Sequence, residues 1–145
     1  MDSWPPAIAN LVDRVRAWAL SHPKVKGLAV VGSWARGRAR PDSDIDLLIL
    51  TDEVTPFLTD PSWVELFGTV RQTEVETWGH VRSIRAWYRD GREVEFAWAP
   101  LDWASVPLEP GSERVIRNGL ILLYDPLGLL ADALRSIEGP VAKGA

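Results

Sequence analysis

A chain of 145 residues, 46% of them hydrophobic, is long enough for one compact domain with its own core and leaves no room for a second. It has no cysteine, which excludes disulfides and thiolate metal sites, and no apolar run approaches the roughly 20 residues needed to cross a bilayer. The net charge of −4 argues against a general polyanion binder, so nucleic acid is not an expected partner.

The N-terminus, Met1 to Pro6, has no basic segment leading into an apolar stretch, and a cytoplasmic protein is expected. After Pro5 and Pro6, the residues Ile8, Leu11, Val12, Val15, Trp18 and Ala19 recur at helical spacing, which predicts a helix covering a sheet and ending near Ser21-His22-Pro23. Leu28-Ala29-Val30-Val31 reads as a buried strand, and Gly32 ends it with a residue that permits close approach of a ligand or another backbone. Ser33 is placed to cap a short helix through Trp34 to Arg38, whose first N–H groups would favour a phosphate. Of the alternating Arg36, Arg38 and Arg40, Arg36 is the best placed to meet that phosphate, a solvated cluster being the alternative.

Ile45 to Leu50 forms the second strand. Asp44 and Asp46 stand two apart and so share a face of it. Two such carboxylates repel unless a cation lies between them, and Mg²⁺ typically takes one or two carboxylates plus substrate phosphates.

From residue 51 to Pro61 the chain is turn-rich, and Ser62 to Gly68 reads as a short helix capped by Ser62. Strands are expected over Val70–Thr77, Val81–Tyr88 and Glu93–Trp98, the last two joined at Asp90-Gly91. In the third of these, Val94 and Phe96 take one face while Glu93, Glu95 and Ala97 take the other, with Arg82, Arg85 and Arg92 as candidate cross-strand partners for the acids. A loop from Leu101 to Pro110 precedes a short helix over Ser112–Asn118 closed by Gly119. Leu120–Tyr124 reads as another buried strand, Asp125-Pro126 as the start of a last helix over Leu127–Ile137, and residues 139–145 as a frayed tail. The eight tryptophans are assigned to core and rim packing, none to stacking on a base.

The stretch Gly32-Ser33, ten residues, Asp44-Ile45-Asp46 resembles the signature of the nucleotidyltransferase superfamily that includes DNA polymerase β. The fuller pattern, Gly-Ser-x-Ala-Arg-Gly followed by Ser-Asp-Ile-Asp-Leu, is most similar to the minimal and aminoglycoside-type nucleotidyltransferases of prokaryotes. The resemblance implies an α/β (α+β) fold, a mixed central sheet with helices packed mainly on one face, as a single domain over residues 1–138. It also implies transfer of a nucleoside monophosphate, AMP from ATP, to a hydroxyl acceptor, with two Mg²⁺ ions stabilising the entering and leaving oxygens. In that scheme Asp44 and Asp46 hold the metals, Gly32 and Ser33 hold the β- and γ-phosphates, and a third carboxylate on a later strand ligates a metal or takes the acceptor proton. Glu95 fits that apolar-acid-apolar place best; Glu93, on the same face, is the alternative.

Larger members carry a helical domain that shapes the acceptor pocket, so here the pocket must come from the β-meander, from a second copy of the chain in a homodimer, or from a partner. Three functions remain open at this point. One is adenylylation of a small hydroxylated compound such as an aminoglycoside- or lincosamide-like antibiotic, which the acidic net charge mildly favours. A second is the antitoxin of a toxin–antitoxin pair, binding or adenylylating a helical ribonuclease. The third is a nucleotide-binding module without turnover.

Overall fold

In the computed structural model, residues 4–144 are described, with side chains as far as Glu138; Met1–Ser3 and Ala145 lie outside. The tail expected over 139–145 falls beyond the described side chains. Six strands form one mixed sheet: β1 (Gly27–Val31), β2 (Ile45–Leu50), β3 (Val70–Trp78), β4 (Val81–Tyr88), β5 (Glu93–Ala99) and β6 (Leu120–Tyr124), in the order β3-β4-β5-β2-β1-β6. The pair β2/β5 is parallel, and every other neighbour is antiparallel.

The helices follow from the apolar periodicity. Helix α1 (Pro6–Ser21) buries Ile8, Leu11, Val12, Val15 and Ala19, and it stops before Pro23, whose ring disfavours a helical conformation at the preceding residue. It packs, together with α3 (Thr55–Thr59) and a 3₁₀ turn over Pro61–Phe67, on the sheet face formed by Leu28, Val30, Leu47, Ile49, Ile84, Phe96 and Trp98. This is the larger core. Its centre is aromatic: Phe57 stacks on Trp98 with ring centroids 3.9 Å apart, and Trp18, Trp63 and Phe67 surround them. Most tryptophans are therefore packing residues, as composition suggested; Trp78, 60% exposed, is an exception.

Contrary to expectation, the helices are not confined mainly to one face: the opposite face is covered over β1, β2 and β5 by a 3₁₀ turn at Leu101–Ala104, α4 (Pro110–Arg117) and α5 (Leu129–Gly144), through Trp103, Ile116, Leu130 and Ala133 against Ala29, Val31, Leu48 and Ala99. The remaining helix, α2 (Ser33–Arg36), follows β1 directly. Among the described residues no helix is long and apolar enough to cross a membrane.

Four local expectations are corrected. The segment before Pro61 contains α3, and the turn after it is 3₁₀ and capped by Asp60, whose carboxylate accepts from the Ser62 N–H at 3.2 Å, so Ser62 is not the cap. The stretch read as a loop from Leu101 holds the second 3₁₀ turn. Strand β6 is a half-buried sheet edge, not a buried strand. Helix α5 starts two residues later than Leu127, because Asp125 acts as a cap whose carboxylate accepts from the N–H groups of Leu130 and Ala131, and Gly128 at φ 72° turns the chain between them.

Candidate active site

The parallel register of β2 and β5 aligns Asp46 with Glu95, and Asp44 stands one residue ahead of β2 on the same face. One carboxylate oxygen each from Asp44, Asp46 and Glu95 lie within 4.8 Å of one another. The structure thus brings together the three acids singled out by sequence, and three convergent hard oxygen donors suit a divalent cation such as Mg²⁺. The crowding shows in the protonation equilibria. Burial, followed by the charges of Asp44 and Glu95, pushes the Asp46 carboxyl up to about 7, against the pull of Arg85 and Arg36. Glu95 is raised as well, by burial first and by its contact with Glu76, while Arg85 opposes the shift.

Gly32 explains how Asp46 can sit where it does. Its backbone has φ 74° and ψ −153°, a conformation that side chains rarely tolerate, and a Cβ built there would stand 2.3 Å from Asp46 Oδ2. The residue that caps α2 is therefore Gly32, not Ser33: its carbonyl accepts from the N–H groups of Ala35 and Arg36 at 3.1 Å, and no side chain caps the turn. Helix α2 also ends at Arg36 instead of Arg38, because Gly37 takes the left-handed conformation at its C-terminus. Ser33 is the first residue of this helix, next in the chain to Gly32. Arg36 is exposed, close enough that its charge lowers the Asp46 equilibrium, and Arg38 and Arg40 are exposed in the following loop. We expect Gly32→Ala to cost about 3 kcal/mol, because strain at this φ,ψ adds to displacement of the Asp46 carboxylate. Thermal unfolding in chelator would read this as a fall in Tm of roughly 10 °C; a variant that melts with the parent would show that the close approach is not required.

Arg85 is the residue whose importance the sequence understated. It lies on β4 opposite Glu95, and its guanidinium reaches Asp44 Oδ2 at 3.1 Å, Glu76 Oε1 at 3.3 Å, and the carboxylates of Glu93 and Glu95. Glu93 thus belongs to the same network, one position farther out. Trp78 Nε1 donates to Glu95 Oε1 at 3.2 Å, so Glu95 is held from two sides. The other two arginines considered as partners do not join: Arg92 pairs with Asp90 and the Phe67 carbonyl at 2.7 Å each, and Arg82 is exposed. The sequence signal for Arg85 was its place on the same face as Glu93 and Glu95 across one hairpin; its fourfold engagement needed the sheet.

A cavity of about 580 Å³ opens beside Asp46 and Glu95, between the β3–β4 turn and α4. Nothing in the local sequence signals it, since its walls come from six separate segments.

The sequence model of the nucleotidyltransferase domain family matches residues 12–97, a span that holds β1 through most of β5 and all three acids. No curated protein sequence shows a significant match. Among solved structures, the chain is similar to an aminoglycoside 6-adenyltransferase from Bacillus subtilis at a TM-score of 0.52 and 16% identity, over 76% of this chain and 39% of that one. It also resembles the Cid1 poly(U) polymerase (TM-score 0.48, 17% identity, 63% of this chain and 31% of that one). A nucleotidyltransferase-like protein from Exiguobacterium sibiricum gives a TM-score of 0.43 and 14% identity over 89% and 39%. The chain spans only about a third to two fifths of the length of these structures.

Proposed function

Because the chain belongs to the nucleotidyltransferase domain family, we propose that it transfers a nucleoside monophosphate, AMP from ATP, to a hydroxyl group of an acceptor, and that residues 1–138 form the single domain that does so. The observation that carries this reading is the convergence of Asp44, Asp46 and Glu95 within 4.8 Å, immediately beside the Gly32-Ser33 turn. In the reaction the acceptor oxygen forms a bond to the α-phosphorus as the bond from that phosphorus to the α,β-bridging oxygen breaks. Pyrophosphate leaves with the electron pair, and the acceptor proton passes to Glu95 or to solvent.

Asp44, Asp46 and Glu95 would hold Mg²⁺, one ion or a pair, which when bound neutralises charge on the entering and leaving oxygens. The chain's own residues supply the rest. Gly32 and Ser33 present backbone and hydroxyl donors to the distal phosphates, and exposed Arg36 adds a positive charge on the same side. Glu95, raised by burial and steadied by Trp78 and Arg85, has the basicity and the fixed position that a proton acceptor needs.

Calorimetric titration of ATP and GTP into the protein, with Mg²⁺ and with chelator, tests the reading. Metal-dependent ATP binding that Asp44→Asn loses is the expected result, and absence of nucleotide binding with Mg²⁺ would overturn it. In the same titrations Ser33→Ala should weaken ATP about tenfold and AMP hardly at all, since a hydroxyl bond to a charged oxygen is worth about 1.5–3 kcal/mol; equal losses would move Ser33 away from the distal phosphates.

A further inference from the structure

The cavity beside the acids has a composition that bears on the acceptor. Its walls are Val31, Leu48, Val81, Ala97, Trp103 and Val115, supplied by β1, β2, β4, β5, the second 3₁₀ turn and α4. At about 580 Å³ it falls in the usual range for small-molecule sites. Charged groups are few: the carboxylates of Asp46, Glu95 and Glu109 and the guanidinium of Arg114. Ser83 also contributes to the lining, and its buried Oγ lacks a hydrogen-bond partner.

The position is directional. Asp46 and Glu95 line the cavity, but Gly32 and Ser33 do not. A phosphoryl group displaced in line has its leaving oxygen on one side and its entering oxygen on the other. With the distal phosphates at the Gly32-Ser33 turn, the entering oxygen arrives from the side of Glu95, where the cavity begins. We propose that this cavity is the acceptor site and that the acceptor is a small hydroxyl compound with an apolar body, not a polycation. The inference rests on the nucleotidyltransferase reading given above. Of the carboxylates that line the cavity, Asp46 and Glu95 belong to the proposed metal site and Glu109 is exposed. Ammonium groups carried against the apolar walls would therefore lose hydration there, whereas an apolar ring would exchange water for Trp103, Val81 and Val115. The lining of the cavity, not the net charge of the chain, sets this preference. The acceptor pocket is then built by this chain alone, from its β-meander and α4.

The test uses two cavity-filling variants from opposite walls, Ala97→Phe on β5 and Val115→Trp on α4, neither of which belongs to the acidic cluster. Naphthalene-2-methanol and an aminoglycoside serve as probes, titrated against tryptophan fluorescence, and Mg²⁺·ATP binding is followed separately by calorimetry. The expected result is saturable binding of naphthalene-2-methanol to the parent, weakened at least tenfold in each folded variant, with Mg²⁺·ATP binding changed less than about twofold. Weaker Mg²⁺·ATP binding in both variants, with the naphthyl probe unaffected, would make the cavity the nucleoside's place and overturn the proposal. So would binding of the aminoglycoside in preference to the naphthyl alcohol, or no naphthyl binding at all. If the parent binds the naphthyl probe in the cavity but no nucleotide, the nucleotidyltransferase reading fails, and the two failures are thereby told apart.

Discussion

Asp46→Asn is expected to abolish Mg²⁺-dependent nucleotide binding and, at the same time, to make the protein more stable. The two effects share one cause. In the folded chain the Asp46 carboxyl is pushed up to about 7 by burial and by the charges of Asp44 and Glu95. An unfolded aspartate releases its proton near pH 4. Between about pH 4 and 7 the folded state therefore binds a proton that the unfolded state has already lost, and stability falls as pH rises through that window, levelling off above it. The asparagine side chain escapes this cost while keeping nearly the same shape against Gly32. We expect a gain of about 2 kcal/mol at pH 8 in chelator, about half of what the full shift would give because the carboxylate is only partly buried. Tm should accordingly rise by roughly 6 °C, falling to about a third of that at pH 5 and to zero near pH 4. Thermal melts at the two pH values check it: a variant no more stable than the parent at pH 8 would show that Asp46 does not carry the charge crowding assigned to it.

Arg85→Met should act in the opposite direction on the empty protein, and added metal should offset its effect. Its guanidinium is the counterion for Asp44, Glu76, Glu93 and Glu95, with a side chain only 18% exposed. Removing one partner of a buried charge cluster leaves the others uncompensated, which costs about 3–5 kcal/mol in full burial; partial exposure of the acids here brings the expectation to about 2–3 kcal/mol, or a Tm roughly 8 °C lower. A divalent cation can then take over the neutralisation. The Tm increase on adding Mg²⁺ should be clearly larger in Arg85→Met than in the parent. An equal increase in both proteins would mean that the guanidinium and the cation do not answer to the same carboxylates. Arg85→Lys should fall between, since one ammonium cannot span the four acids as a planar fork does.

The parts of the fold and site that could be read from sequence are those fixed by near neighbours. The paired aspartates, the glycine-serine turn and the exact limits of β4 follow from local alternation and spacing. Period-two alternation put Glu93 and Glu95 on one face of a strand, and only the family resemblance called for a third carboxylate there and favoured Glu95; what sets Glu95 apart from Glu93 in the structure is the parallel register with Asp46. Where reading failed, a distant contact decided. Gly32 rather than Ser33 caps α2 because Asp46, fourteen residues on, needs the space of the missing Cβ. Leu120–Tyr124 was placed correctly along the chain, yet its apolar run could not reveal that β6 is an edge with a neighbour on one side only. Asp125-Pro126 signals a helix start, but Gly128 interposes a turn, so the aspartate caps from farther upstream.

The one parallel pairing in the sheet has a kinetic corollary. Strands β2 and β5 are separated by the whole β3–β4 excursion, so their union closes a long loop, and its entropy must be met before any contact between them is rewarded. Glu95 accordingly joins Asp44 and Asp46 only once that long loop has closed. A cation bound across that seam is a clasp fastened on a completed article. It would lengthen the lifetime of the native state, seen as a slower unfolding limb, while leaving the rate of refolding as it was.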